Sequence, residues 1–204
     1  MPASDSLLTR LEQQAQAEGV PIVGRRVAAF LHLLERAARP DLIVELGTAT
    51  GYSGIWLVRG WSNAKLTTFE VDEVRATHAR RNFAEAGLAE RVDVRVENAV
   101  GGLNGLPAAS AAFVLNDLLN GLRDEGRVEE CFHGAFKVLM PGALLLADNA
   151  LAGGDVLRRE TLEGHCVHRW NALVMEHPAL SGIILPMDDG LSVAVRNPGG
   201  MGAR

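Results

Sequence analysis

Short apolar runs alternate with stretches of helical periodicity along most of this chain, and that alternation restricts its fold more than any other feature. The runs fall at 42–46, 112–115 and 143–147, with a strand-like stretch at 66–71 and Val92-Asp93-Val94-Arg95-Val96 alternating with period two. Helical stretches lie between or after them at 52–60, at 73–86 and at 155–176. The clearest stripe is Val128, Cys131, Phe132, Ala135, Phe136 and Leu139, closed by Pro141-Gly142. Repeated β–α alternation requires a parallel sheet with helices on both faces, because right-handed crossovers place them there. Ile183-Ile184-Leu185 and the run 191–195 flank Pro-Met-Asp-Asp-Gly, which reads as a hairpin loop and makes the last strand antiparallel to its neighbour. The expectation is an α/β, doubly wound, Rossmann-like sheet of seven strands, mostly parallel.

Two helices, 4–18 and 25–38, precede the first strand and read as an N-terminal cap over 1–40. The whole of 1–196 reads as one domain, followed by a glycine-rich tail, 197–204, that is expected to fray. An apolar share of 48% rules out a disordered chain, and no apolar stretch reaches the roughly 20 residues of a membrane span. The first ten residues lack a basic segment followed by an apolar run, so no secretory signal is expected. Cys131 and Cys166 fall on helical stretches and read as reduced, core-facing thiols of a cytoplasmic protein. A net charge of −5 gives no bulk attraction to nucleic acid, although a local basic patch would escape that measure.

In a doubly wound sheet the ligand sits beyond the C-terminal strand ends, where the strand order reverses. The first such end is Glu45-Leu46-Gly47-Thr48-Ala49-Thr50-Gly51-Tyr52-Ser53. Gly47 and Gly51 permit a tight turn and a close backbone approach, and amides at the helix start with the Ser53 hydroxyl suit a carboxylate. The spacing is not G-x-G-x-x-G, and an acid at Glu45 would repel a pyrophosphate. A cationic ligand group fits better. S-adenosylmethionine carries a sulfonium, an ammonium and a carboxylate, and no phosphate. Glu70, in Phe69-Glu70-Val71-Asp72, stands where an acid grips a ribose diol, and Asn98, followed by Ala99, is placed to meet an adenine edge. A structural turn and solvated strand-end acids are the plainer alternatives at each position taken singly.

These segments, together with Ala-Gly-Leu-Ala-Glu-Arg-Val and Pro-Gly-Ala-Leu-Leu-Leu-Ala-Asp-Asn-Ala-Leu, resemble the cation-dependent O-methyltransferases, a family that includes catechol and caffeoyl-CoA methyltransferases and small bacterial members. The resemblance spans about residues 20–196. It implies S-adenosylmethionine as cofactor, bound at Glu45, Gly47, Thr48, Gly51, Tyr52, Ser53, Glu70, Val71, Asn98, Ala99 and Asp117. It further implies a divalent cation, Mg²⁺, held by Asp117, Asp148 and Asn149, a small-molecule hydroxyl acceptor, and a homodimer. Oxygen-only ligands suit a hard ion, and vicinal acceptor oxygens on that ion would ionise more readily. Gly19-Val-Pro-Ile-Val23 is similar to bacterial members that methylate hydroxyuridine in transfer RNA, which keeps an RNA acceptor open.

The chain departs from the family at one point. The family reads Asp-x-x-Lys after the fourth strand, with the lysine as general base, whereas this chain reads Asp117-Leu118-Leu119-Asn120. Asparagine accepts no proton at neutral pH. Either the cation alone acidifies the hydroxyl, or another group is the base, or catalysis is impaired and the chain is a cofactor-binding protein. Asp117 and Asn120 are the catalytic candidates under the first two readings. A dinucleotide oxidoreductase is disfavoured by Glu45. His165 and His168 lie three apart, but without a third ligand they read as helix-surface residues. Trp170 reads as facing a partner subunit or the substrate cleft.

Overall fold

In a computed structural model, residues 6–199 are described. The chain forms helices α1 (Ser6–Glu18), α2 (Arg25–Ala38), α3 (Tyr52–Val58), α4 (Glu73–Glu85), α5 (Ala99–Asn104), α6 (Glu125–Val138) and α7 (Leu162–Glu176). The strands are β1 (Leu42–Leu46), β2 (Lys65–Glu70), β3 (Val92–Val96), β4 (Ala111–Asn116), β5 (Leu139–Asp148), β6 (Leu180–Leu185) and β7 (Leu191–Arg196). They make one seven-stranded sheet in the order β3-β2-β1-β4-β5-β7-β6. Strands β1 to β5 run parallel, and β7 pairs antiparallel with both β5 and β6. The expected fold class holds.

Each face of the sheet has its own core, which is why the central strands β1, β4 and the end of β5 read as almost uninterrupted apolar runs. On one face Val44, Leu46, Val114 and Leu145 pack with α5, α6 and α7 residues such as Leu103, Phe132 and Trp170. On the other Ile43, Phe113, Leu115 and Leu146 pack with Leu8, Leu11, Val27, Leu31, Leu57 and Phe83. Helices α1 and α2 therefore cover one layer of the sheet. None of the described helices is long and apolar enough to cross a membrane.

Four expectations need correction. The long helix expected over 155–176 starts only at Leu162. The Asp155 carboxylate accepts hydrogen bonds from the Glu160 and Thr161 amides and the Thr161 hydroxyl, and Thr161 then caps α7 through the Gly164 amide. Helix α5 was not expected, because Ala-Val-Gly-Gly-Leu-Asn carries no readable stripe. Strand β5 begins at Leu139, ahead of Pro141-Gly142, since Leu139 already pairs with Ala111 across an irregular register. Trp170 faces neither a cleft nor a surface. It is fully buried, edge-on to Phe132 with ring centroids 5.8 Å apart. The expected start of the first helix at 4 and most of the tail fall outside the described residues.

Candidate active site

The strand order reverses between β1 and β4, and their C-terminal ends open there into a cleft of two compartments. The chain leaves β1 at Gly47 with φ +99°, and the Gly47 and Thr48 amides both donate to the Phe69 carbonyl at the end of β2. Gly51, φ +84°, closes the turn by donating to the Thr48 carbonyl and leads straight into α3. Asn82 of α4 holds the turn from below, donating to the Thr50 carbonyl at 2.9 Å. The Asp117 amide donates to the Leu46 carbonyl, tying the exit of β4 to that of β1.

The first compartment, about 230 Å³, is walled by Phe69, Val71, Ala99, Val100, Leu118 and Leu122, with Glu70, Glu97, Asn98, Arg123 and Arg127 around them. Its narrow apolar walls and polar rim suit a flat ring. The second, about 260 Å³, contains Asp117, Asp148 and Asn149, with Asn120, Arg75, Pro21 and Ile22 also lining it. Gly47, Glu70, Val71, Leu118 and Gly121 line both, so the compartments adjoin across the switch point.

The carboxylates of this region differ sharply in their surroundings. Glu70 Oε2 accepts from the Ala49 amide at 2.9 Å, and Oε1 accepts from the Val71 and Asp72 amides at 2.9 and 3.0 Å. Glu45 lies beneath the loop, fully buried, and lines neither compartment. Its Oε2 accepts from Thr68 Oγ1 at 2.7 Å. Burial raises its carboxyl to about 7, against the hydrogen-bonding pull of Ser53 and Thr68, and Glu70 adds to the rise. The acid expected to face a ligand from β1 thus faces the sheet interior instead. The acids that do line the cleft are Glu70 and Glu97 in the first compartment and Glu70, Asp117 and Asp148 in the second.

Asp117 has no hydrogen-bond or ion-pair partner for its side chain among the described residues. Loss of water, then the like charges of Asp148 and Glu45, raise its carboxyl well above the usual carboxylate range. Asp148 is 5% exposed, and burial raises it to about 6, with the Asn149 amide opposing and Asp189 and Asp188 reinforcing. The loop after β5 is held firmly. Ala150 and Leu151 donate to the carbonyls of Gly190 and Asp189, and Asn171 of α7 donates to the Ala150 carbonyl at 2.8 Å. Among the described residues no three acidic, histidine or cysteine side chains cluster as a metal site. The oxygen set here is two carboxylates and the Asn149 amide.

The remaining expected residues are placed as follows. Val71, Ala99 and Asn98 line the first compartment, but the Asn98 oxygen caps α5 through the Val100 and Gly101 amides, leaving its NH₂ group as the available donor. Thr48 is buried, sharing a 2.7 Å hydrogen bond with Thr68. Tyr52 and Ser53 are buried in α3, and the Tyr52 hydroxyl donates to Glu12 of α1. Asn120 lines the second compartment with Asp117. Sequence reasoning missed Leu118, the Ala49 amide, Arg75 and the Pro21-Ile22 connection. Of these only Pro21-Ile22, within Gly19-Val-Pro-Ile-Val23, had carried any signal.

A family model described as O-methyltransferase matches residues 5–197. The chain belongs to the O-methyltransferase family. A catechol O-methyltransferase of Niastella koreensis is 32% identical over 201 residues, covering 94% of this chain and 90% of that protein. The crystal structure of the Bacillus cereus O-methyltransferase in complex with SAH superposes with a TM-score of 0.86 at 28% identity, covering 97% of this chain and 93% of that one. The O-methyltransferase TomG of Streptomyces achromogenes, solved with SAM, gives a TM-score of 0.84 at 27% identity, with 95% and 91% covered. This O-methyltransferase shares its architecture with both over nearly its whole length.

Proposed function

We propose that the chain transfers the methyl group of S-adenosylmethionine (SAM) to a hydroxyl oxygen of a small catechol-like diol, with a divalent cation held at Asp117, Asp148 and Asn149. The observation that carries the reading is the adjoining pair of compartments, one apolar and ring-sized, the other floored by acids that lack cationic partners. The relatives named for catechol methylation and solved with SAM or SAH support it.

In this reading the adenine lies between Val71, Ala99 and Leu118, with the Asn98 NH₂ group as donor to a ring nitrogen. Glu70, held rigid by three backbone amides, accepts from the ribose hydroxyls. The methionine end passes Gly47, whose missing side chain leaves the passage open, into the compartment of Asp117 and Asp148. A sulfonium and an ammonium are favoured beside those acids, and a pyrophosphate is repelled. The preference against dinucleotides, assigned from the sequence to Glu45, rests on Asp117 and Asp148.

Two unpaired, desolvated carboxylates within each other's field are unfavourable alone and fit a hard cation between them. Such an ion, when bound, acts as a Lewis acid on vicinal hydroxyls. The protein's part is positioning: the Asp117 backbone is tied to the Leu46 carbonyl and Asp148 to β7, so both acids that would hold the ion and the acceptor stand at fixed strand ends beside the cofactor compartment. Pro21 and Ile22 add an apolar wall to that compartment.

The test is methylation of catechol by the purified chain with SAM, with and without chelator. Methyl ether formation that stops on chelation is the expected result. Transfer to RNA and not to catechol would replace the acceptor, and tight NADH binding without binding of S-adenosylhomocysteine (SAH) would overturn the reading.

A further inference from the structure

Among the described residues, the second compartment contains no side chain free to take a proton from the acceptor. The chain has two lysines and six histidines, and every one is placed elsewhere. Lys65 opens β2, at the end of the sheet away from the cleft, and Lys137 is bound to the carbonyls of Asn104 and Leu106. His32 lies against the Trp56 carbonyl, and His78 lines a surface pocket with Arg10 and Arg81. His133 stands edge-on to Phe132 and His177 lies tilted against it, His165 faces Glu125, and His168 faces Arg159. The one tyrosine, Tyr52, is buried with its hydroxyl on Glu12, and both cysteines are buried.

The carboxylates present are committed. Glu70 accepts from three amides and is given to the ribose, and Asp117 and Asp148 are the cation's ligands, under the reading above. Asp189 accepts from the Gly153 amide, and Asp188 is paired with Arg26. What remains beside Asp117 is Asn120, partly exposed in the compartment, with no hydrogen bond of its own among the described residues. Its amide donates hydrogen bonds and accepts them, but takes up no proton at neutral pH.

Resting on the proposed methyl transfer, we propose that the acceptor hydroxyl ionises to solvent before transfer, so that the chain selects acidic hydroxyls, such as those of catechols bearing electron-withdrawing substituents, and Asn120 donates a hydrogen bond to the resulting oxyanion. The step balances without a protein base. The proton has left to water; the oxyanion's electron pair forms the new O–C bond; the S–C bond breaks, and its electron pair neutralises the sulfonium to a thioether. Each pH unit below the acceptor's own ionisation then lowers the reactive fraction about tenfold.

The experiment uses a series of catechols of graded acidity, including a nitrocatechol whose anion absorbs in the visible. In turnover the break in the pH profile of kcat/KM is expected to move with each acceptor's own ionisation. In the dead-end mixture with Mg²⁺ and SAH, whose binding is measured separately by calorimetry, bound nitrocatechol is expected to show the anion spectrum below the pH at which free nitrocatechol ionises. N120K is expected to retain SAH binding, raise kcat/KM for the least acidic catechol about tenfold or more, and fix the break at one pH for all acceptors. A wild-type break at the same pH for every acceptor, or neutral nitrocatechol in a complex that binds SAH, overturns the proposal and leaves methyl transfer standing. No SAH binding at all overturns methyl transfer itself.

Discussion

Gly47 stands against Asp117 across the switch point: a Cβ on Gly47 would lie 3.0 Å from the Asp117 carbonyl oxygen and 3.0 Å from Leu118 Cδ2. The neighbour that must give way is partly backbone, and φ at +99° already disfavours any side chain. Gly47→Ala is expected to cost about 2 kcal/mol of stability. It is also expected to weaken SAH binding at least about tenfold, equivalent to about 1.4 kcal/mol. Urea unfolding and calorimetric titration measure the two effects separately.

Asp117→Asn keeps the shape of the compartment and removes one charge. Because burial and Asp148 already disfavour the ionised form of Asp117, the variant is expected to melt no lower than the wild type when no metal is present, and higher at neutral pH. The wild type should gain about 1.4 kcal/mol from Mg²⁺ supplied at ten times its Kd, whereas the variant should gain almost nothing. Thermal melts with and without Mg²⁺ check both halves.

Glu35 of α2 gives a pH-dependent stability remote from the cleft. It is fully buried, with His32 4.0 Å away, and burial raises its carboxyl from an ordinary 4.5 to about 7, against the pull of the Trp61 amide, Arg91 and Arg36. Between those two values the unfolded chain has released this proton and the folded chain still holds it. Stability from this group is therefore complete below about pH 4.5 and is lost as pH rises through about 7. Glu35→Gln is expected to remove that loss, gaining about 2 kcal/mol over the wild type at pH 8 and little at pH 4.5. Urea unfolding at the two pH values, compared between the chains, isolates Glu35 from Glu45 and Asp148.

Thr161→Ala should remove the cap of α7, where the Thr161 hydroxyl accepts from the Gly164 amide and donates to Asp155. The expected cost is about 1 kcal/mol, read by urea unfolding. Hydrogen exchange should speed up at the first turn of α7 and not at its middle.

This helix also shows where the sequence stopped being legible. Its apolar stripe, Leu162, Cys166, Trp170, Leu173 and Val174, carries back no further than Leu162, although the helix was expected to begin at 155. The break is made by the Asp155 carboxylate, and such a local side-chain loop has no period to read. Strand β1, by contrast, has the bounds its apolar run implied, because burial on both faces of a sheet leaves little choice of residue, and β3 and α2 match the bounds read from their alternating and helical patterns.

In the cleft, Gly47 and Glu70 were readable because strand ends meet where the strand order reverses, whereas Asp117, Asp148 and Asn149 were placed by the resemblance to the cation-dependent O-methyltransferases, and all five line the second compartment. Glu45 was misplaced for a reason equally general. Adjacency to a ligand loop does not say which face of the strand a side chain takes, and in β1 that face belongs to Thr68. Leu118 and the Ala49 amide had no signal at all: one is an ordinary apolar residue, the other a backbone group aimed by a residue at φ +46°.

The most direct measurement is a crystal structure of the chain grown with SAH and Mn²⁺, with anomalous data collected for the metal. The account expects one anomalous peak between Asp117, Asp148 and Asn149, and adenosine between Val71, Ala99 and Leu118 with its ribose on Glu70. Adenosine in that place with no metal at the acids would contradict the cation, and SAH absent from the cleft would contradict the account as a whole.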